Sequence, residues 1–301
     1  MIDNILISGK AYPRVNLLGN PSDIYGGFGL GFPISNWSAE VFLDQNFSPY
    51  KENKLLDAAR AVFSKINPIQ GKFSLRYFSD IPMRCGLAGS SALVMAALRA
   101  LGKYHDFKWT WKALADATLI AERENLGIIA GPMDRWIQAR EELLWMNFSG
   151  NKSKILSLKN LPSFRILISS EPGQPSGSVH SPVMERWNRG DPEVKKVMDA
   201  YGPLVERGLS ALISGDILSL AECMDQNFEL RASLFPINEK DKVMIDFCRK
   251  QGAAAKLCGS GGAVIALMKV ESVQSGIQSG IGATLNSQCA LWTHTVPRGS
   301  I

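Results

Sequence analysis

Two short stretches, residues 39–43 and 73–78, alternate apolar with polar side chains. That is the period of a half-buried β-strand. Between them, residues 53–66 repeat their apolar positions at helical spacing. Residues 93–101 form an apolar helical run, and 110–125 predict a further helix with Leu114, Ala117, Leu119 and Ala121 on its apolar positions and Gly127 as its terminator. Residues 2–8 and 165–169 are apolar enough for strands, the second buried on both faces. Helical patterns recur at 192–214, 216–230 and 239–251, followed by a strand at 263–268, one more helix and a final strand. Residues 151–163 read as a polar connector, and the Pro-, Gly- and Ser-rich stretch 171–191 as a long mobile loop. No internal repeat interrupts the pattern. The expectation is an α+β chain with a boundary near residue 160, giving domains at 1–160 and 161–301.

Composition narrows the class without changing that picture. At 301 residues with 46% apolar and 20% charged positions, the chain has the make-up of a soluble globular protein. Its net charge of +5 suits an anionic small molecule, but the basic residues form no block, so nucleic acid is not expected as a partner. No apolar run approaches the ~18 residues of a membrane span, and the N-terminus lacks the basic-then-apolar pattern of a secretory signal. Five scattered cysteines (Cys85, Cys223, Cys248, Cys258, Cys289) contain no CxxC pair. They speak against a disulfide framework or a zinc site and for a cytoplasmic setting. His105, His180 and His294 are too dispersed for a metal cluster. The tail 296–300 resembles a protease-recognition scar and carries no functional weight.

The chemistry begins at residues 82–92, Pro-Met-Arg-Cys-Gly-Leu-Ala-Gly-Ser-Ser-Ala, directly before the apolar helical run. Glycines let a backbone turn tightly and approach a ligand, and the helix start behind them aims N–H groups and a positive dipole end at the loop. Such a junction suits phosphate. Ser90 or Ser91 would either cap the helix or offer a hydroxyl to a phosphate-bound Mg²⁺. Three further segments matter: Arg14, Asn16 and Asp23 around a turn; Glu122 leading into Gly131-Pro132-Met133-Asp134-Arg135; and the second glycine loop, Lys256-Leu257-Cys258-Gly259-Ser260-Gly261-Gly262. Taken singly, Arg14 with Asp23 is a surface ion pair, Glu122 a solvated helix face and Asp134 a helix cap. Taken together they supply what phosphoryl transfer needs: a phosphate cradle, metal ligands, a carboxylate near the attacking hydroxyl and a cation. The chain has neither GxxxxGK[ST] nor G-x-S-x-G, which removes P-loop enzymes and the usual hydrolase elbow.

In that order the segments resemble the three motifs of the GHMP kinases, the superfamily of galactokinase, homoserine kinase and mevalonate kinase. Residues 86–92 resemble the central phosphate-binding motif, 14–19 the first and 256–263 the third. Within the superfamily the likeness runs to the glucuronokinase branch, through Leu18-Gly19-Asn20-Pro21-Ser22-Asp23, residues 127–131 with Asp134-Arg135, 176–181, Arg186-Trp187 and Asn227-Phe228-Glu229-Leu230-Arg231. Mevalonate kinases usually carry lysine where this chain has Arg14 and Gly-Glu-His where it has Gly19-Asn20-Pro21. The resemblance implies a two-domain GHMP kinase fold: an N-terminal α+β domain, of a type also found in a ribosomal protein, and a ferredoxin-like C-terminal domain, with the active site in the cleft between them.

It also implies ATP and Mg²⁺. Gly86, Leu87, Ala88 and Gly89, with Ser90 and Ser91, would bind the triphosphate; Ser91 and Glu122 would hold Mg²⁺. Asp134 would orient or deprotonate the acceptor hydroxyl, with Arg14 keeping it ionised and steadying transferred charge. Asp23 would bind sugar hydroxyls, and Gly259, Ser260, Gly261 and Gly262 would close on phosphate or substrate. A uronate needs a cation for its carboxylate, for which Arg231 is chosen over Arg84, Arg135 and His180. The implied activity is phosphorylation of the anomeric hydroxyl of glucuronate or a related sugar by a monomer or homodimer. The alternatives are a mevalonate, heptose or amino-sugar kinase, or a sensor that binds ATP and sugar without turnover.

Overall fold

The structure, a computed structural model, describes residues 7–44, 53–157, 161–169, 176–269 and 294–296. In chain order its elements are β1 (Ile7–Ala11), β2 (Arg14–Leu18), a 3-10 turn (Ser22–Tyr25), β3 (Phe28–Pro33), β4 (Ala39–Asp44), α1 (Lys54–Ile66), β5 (Ser74–Ser79), α2 (Gly89–Tyr104) and α3 (Trp111–Ile120). A π-helical turn (Ala121–Asn125), α4 (Met133–Arg140), β6 (Leu144–Asn147), β7 (Lys152–Ile155), β8 (Phe164–Ile168) and α5 (Ser176–Asn188) follow. The chain ends with α6 (Pro192–Ser214), α7 (Ile217–Leu234), α8 (Glu239–Lys250), β9 (Ala253–Leu257), β10 (Ala263–Met268) and β11 (His294–Val296).

These elements fall into two compact units. The first comprises the chain up to Arg14, then Pro33–Pro82 and Ala88–Glu141. Its sheet is antiparallel in the order β1-β4-β5, with Gly9 opposite Val41 and Val41 opposite Tyr77. Helix α2 lies across β1 so closely that a Cβ on Gly9 would stand 2.1 Å from the Ala96 carbonyl oxygen. Only glycine fits that crossing. Because α2 is covered on nearly all sides, from Leu93 to Leu98 without a break, its sequence is an apolar run rather than an amphipathic stripe. Helix α1 is amphipathic in the ordinary way and starts where Asn53 accepts a hydrogen bond from the Leu55 N–H (2.9 Å).

The second unit comprises Val15–Phe32, Met83–Leu87 and the chain from Glu142 onward. It holds a sheet of order β2-β3-β6-β7 and an antiparallel sheet of order β11-β8-β10-β9. Helices α7 and α8 pack on β9, closing a core of Leu167, Met244, Ile245, Cys248, Ala255 and Val264. Asp191 caps α6, with Pro192 at the first helical position.

The expected helices at 53–66, 192–214, 216–230 and 239–251 and the strands at 39–43, 73–78, 165–169 and 263–268 are present within a few residues. Two expectations fail. The stretch 171–191 is not one long loop, because α5 spans Ser176–Asn188 and carries Pro182 inside it. The connector 151–163 contains β7, which pairs with β6 from Leu144–Ile155 to Asn147–Lys152. The helix expected at 110–125 changes character at its end: α3 stops at Ile120 and one π turn takes over. The expected strand 2–8 is seen from Ile7 onward, its earlier residues lying outside the described part, as do the helix expected after residue 268, Cys289 and the end of the tail. Among the described residues no helix is long and apolar enough to cross a membrane.

Candidate active site

In the first unit, five side chains of the sequence constellation meet in one buried network. The π turn after α3 sets Glu122 inward, 1% exposed. A π turn inserts one residue into the helical register and is frequent at functional positions. Ser91, in the first turn of α2, donates its hydroxyl to Glu122 Oε1 at 2.7 Å. Arg135 donates Nε to Glu122 Oε2 at 2.5 Å, adds a contact through Nη2, and bonds the Gly131 carbonyl through Nη1. The same guanidinium stands 3.4 Å from Asp134 Oδ2. Asp134, in the first turn of α4, receives Arg14 side-on: Nε to Oδ1 and Nη2 to Oδ2, both 2.5 Å.

The result is a line of alternating charge, Ser91–Glu122–Arg135–Asp134–Arg14, with no net charge. Fork-to-fork pairing fixes the plane of the Asp134 carboxylate as well as its position. Arg14 does not lie at the surface; it is 4% exposed and paired with Asp134. Glu122 is not a solvated helix face, and the N-cap position of α4 falls on Pro132, not Asp134.

Neither Ser90 nor Ser91 caps α2. The cap position falls on Ala88, in the left-handed conformation (φ 60°), without a side-chain cap. Gly86 (φ 71°) and Arg84 (φ 51°) share that conformation, so three left-handed residues occur within five. Left-handed residues at alternate positions are a feature of backbone that can bind anions, and a helix N-terminus favours anions in its own right. Gln138, fully buried one turn after Asp134 on α4, pins the loop: its Nε2 donates to the Ala88 carbonyl (3.1 Å) and to the Tyr12 carbonyl (2.8 Å). Leu87 is buried and Ser90 exposed.

The second unit gathers the other loops. Gly262 (φ 86°) donates its N–H to Asp241 Oδ1 at 2.8 Å, and Asn238 donates to Asp241 Oδ2 at 2.7 Å. A Cβ on Gly86 would lie 2.5 Å from the Gly261 carbonyl oxygen, so the two glycine loops touch backbone to backbone. Gly19 (φ 97°) receives no side chain for a similar reason, the Phe28 carbonyl oxygen standing 2.1 Å from where Cβ would be. Its N–H donates to Asn227 Oδ1 (2.7 Å), and Asn20 donates to the Gly259 carbonyl (3.3 Å). Lys256, 1% exposed, clamps the same loops with Nζ bonds to the Asn16 carbonyl (2.6 Å), Asn20 Oδ1 (2.9 Å) and the Leu257 carbonyl (2.7 Å). Asp23 is buried in the 3-10 turn and, after burial itself, helps push the Tyr25 hydroxyl up to about 12. Arg231 bonds the Ser260 carbonyl at 3.2 Å.

Of the cations weighed for a substrate carboxylate, Arg135 is committed to Glu122, Arg84 is exposed, and His180 packs edge-on against Phe235. Gln138 and Asp241, and the loop-holding roles of Asn20, Asn227 and Lys256, escaped the sequence. One signal for the last was present: a lone lysine inside the apolar strand Ala253–Leu257.

For Mg²⁺ the donor set fits. Ser91 and Glu122 supply adjacent hard oxygens, and Mg²⁺ at phosphate sites takes one or two carboxylates and completes its shell with phosphate and water. Among the described residues there is no all-protein cage of three or more His, Cys, Asp or Glu.

The buried carboxylate–arginine line of the first unit is the kind of machinery that phosphoryl transfer uses. Residues 53–140 match the model of the GHMP kinases N terminal domain, and residues 209–286 that of the GHMP kinases C terminal domain. The chain is 33% identical to Glucuronokinase 1 of Arabidopsis thaliana, across 86% of this chain and 84% of that one. It belongs to the GHMP kinases, and is an ATP-dependent kinase. Among solved structures it is similar to Lactococcus lactis galactokinase complexed with galactose (TM-score 0.80, 13% identity, 98% and 95% covered) and to L. major mevalonate kinase in complex with R-mevalonate (TM-score 0.74, 18% identity, 98% and 97% covered). At those identities the structural likeness speaks to the fold.

Proposed function

We propose that this protein phosphorylates the anomeric hydroxyl of glucuronate, or of a closely related sugar, at the expense of ATP. The 33% identity to the Arabidopsis glucuronokinase across 86% of this chain supports the substrate, and the Ser91–Glu122–Arg135–Asp134–Arg14 line supports the chemistry. The family's two domains are proposed to lie at 1–160 and 161–301.

In this reading the N–H groups of Gly86, Leu87, Ala88 and Gly89, with the start of α2 and Ser90, receive the triphosphate. Ser91 and Glu122 hold Mg²⁺, which neutralises phosphate charge when bound. Asp134 accepts the hydrogen bond of the sugar hydroxyl, and takes its proton as that oxygen bonds to the γ-phosphorus and the bond to the β-phosphate oxygen breaks, releasing ADP. Arg14 orients the carboxylate and steadies the charge moving across the transferring group. Asp23 accepts hydrogen bonds from other sugar hydroxyls, and residues 259–262 close on the substrate.

Coupled ADP release over uronic acids, neutral hexoses, heptoses, amino-sugars and mevalonate tests the substrate, with glucuronate expected to give the highest kcat/KM. Asp134→Asn, close to isosteric, is expected to keep the fold and lower kcat by about 100-fold or more. Activity retained within a factor of two would remove Asp134 from the reaction.

A further inference from the structure

In the second unit the buried Arg231 side chain is left with unmet bonding capacity among the described residues. Arg231 is 2% exposed, yet among the described residues its Nη2 alone has a hydrogen-bond partner, the Ser260 carbonyl; Nε and Nη1 have none there, and it makes no ion pair with a described residue. The charge of Asp241 is felt by it, but each Asp241 oxygen already accepts a hydrogen bond, from the Gly262 N–H and from Asn238. The face of Phe235 covers the guanidinium at 5.1 Å. A buried cation with idle donors carries a large desolvation penalty, and proteins ordinarily answer it with an anion.

A second observation points to the same place. Tyr201, fully buried on α6, lies close enough to Arg231 for each to perturb the other's ionisation, and its hydroxyl also lacks a partner. Tyr25, a neighbour of Tyr201 in the same sense, has an unpartnered buried hydroxyl as well. Burial pushes both phenols well above neutral pH, so both remain donors. The cluster thus offers donors and no idle acceptor beyond phenol oxygens. The cluster adjoins the second glycine loop: Arg231 holds the Ser260 carbonyl, and Asn227, one turn before Arg231 on α7, holds the Gly19 N–H.

We infer that Arg231 and Tyr201 form a carboxylate subsite that selects a sugar acid over the corresponding neutral sugar. A planar carboxylate takes two parallel N–H bonds from a guanidinium edge, and a phenol completes its lone pairs. A hydroxymethyl group in the same position leaves the cation unpaired, so the neutral sugar is rejected. This rests on the reading that the acceptor is a uronate.

The test compares Arg231→Met and Tyr201→Phe with the unaltered enzyme, measuring kcat and KM for glucuronate and glucose and calorimetric binding of both sugars. Arg231→Met is expected to cut the glucuronate-over-glucose preference by about 100-fold or more, chiefly through KM, and Tyr201→Phe by about 10-fold. A purely structural role would depress both sugars together and leave the ratio unmoved, which overturns the inference. Should Arg231→Met fail to fold, Tyr201→Phe still reads the ratio. If the unaltered enzyme prefers a neutral sugar across the panel, the subsite is overturned while the kinase reading stands. If no sugar yields ADP but glucuronate binds, glucose does not, and Tyr201→Phe weakens that binding, the kinase reading falls and the subsite stands.

Discussion

Removing the Glu122 carboxylate separates its structural work from its catalytic work. Glu122 is 1% exposed and accepts from Ser91 on one oxygen and from Arg135 on the other. In Glu122→Ala the Arg135 guanidinium, its side chain 7% exposed, keeps the Gly131 carbonyl and the 3.4 Å approach to Asp134. Breaking one side of a buried ion pair costs about 3–5 kcal/mol. The stranded Ser91 hydroxyl adds about 1 kcal/mol, which a closer Arg135–Asp134 pair offsets. At about 2 °C per kcal/mol for a chain of this size, the melting temperature should fall by about 6–10 °C. The pair replacement Glu122→Leu with Arg135→Met removes both charges, and such apolar replacements are often neutral or stabilising. It should melt within about 3 °C of the unaltered protein by the same conversion while remaining inactive. Differential scanning calorimetry at neutral pH measures both. A single variant melting within about 1 °C of the parent, or a double variant no more stable than the single one, would refute the reasoning.

Two further outcomes follow from the second unit. Lys256→Met strands three oxygens now bonded by Nζ and should cost about 3–5 kcal/mol in urea unfolding; a loss under about 1 kcal/mol would mean that the clamp is redundant. Asp241 has its pKa raised by burial, so the folded state holds its proton more tightly than the unfolded chain. From this group, stability falls as pH rises from the ordinary carboxylate value of 3.8 through the raised one. Asp241→Asn should flatten that part of the stability–pH curve, and an unchanged slope in pH-resolved urea melts would count against the assignment.

What the sequence disclosed depended on whether local chemistry announced it. Helices α1, α6, α7 and α8 were legible because each has a polar start, Asn53, Asp191, Asp216 or Asn238, whose side chain bonds a first-turn N–H. Strands β2 and β9 were not, because both are buried at every position and show no alternation. Helix α5 hid behind Pro182 and a glycine- and serine-rich start, a composition that argues for loop until tertiary packing overrides it. At the site, Arg14, Ser91, Glu122 and Asp134 were recognisable as reagents for phosphoryl transfer. Arg135 and Gln138 were not, since their partners, Glu122 and the Tyr12 and Ala88 carbonyls, are chosen by the fold. Arg14 and Asp134 stand 120 positions apart, a pairing that no local pattern encodes.

The left-handed residues Arg84, Gly86 and Ala88 make residues 84–88 a segment specified by torsion angles more than by functional groups. Substitution there should be filtered by Ramachandran class: Gly, Asn and Asp pass at 84 and 88, while β-branched residues strain. Position 86 is stricter, because the Gly261 carbonyl occupies the space of any Cβ. A change at 86 therefore cannot be repaired by neighbours in sequence; it needs the 259–262 loop to retreat, which Asp241 restrains through the Gly262 N–H. The two glycine loops form a single mutational unit, and the information that maintains one is stored partly in the other, some 175 residues away.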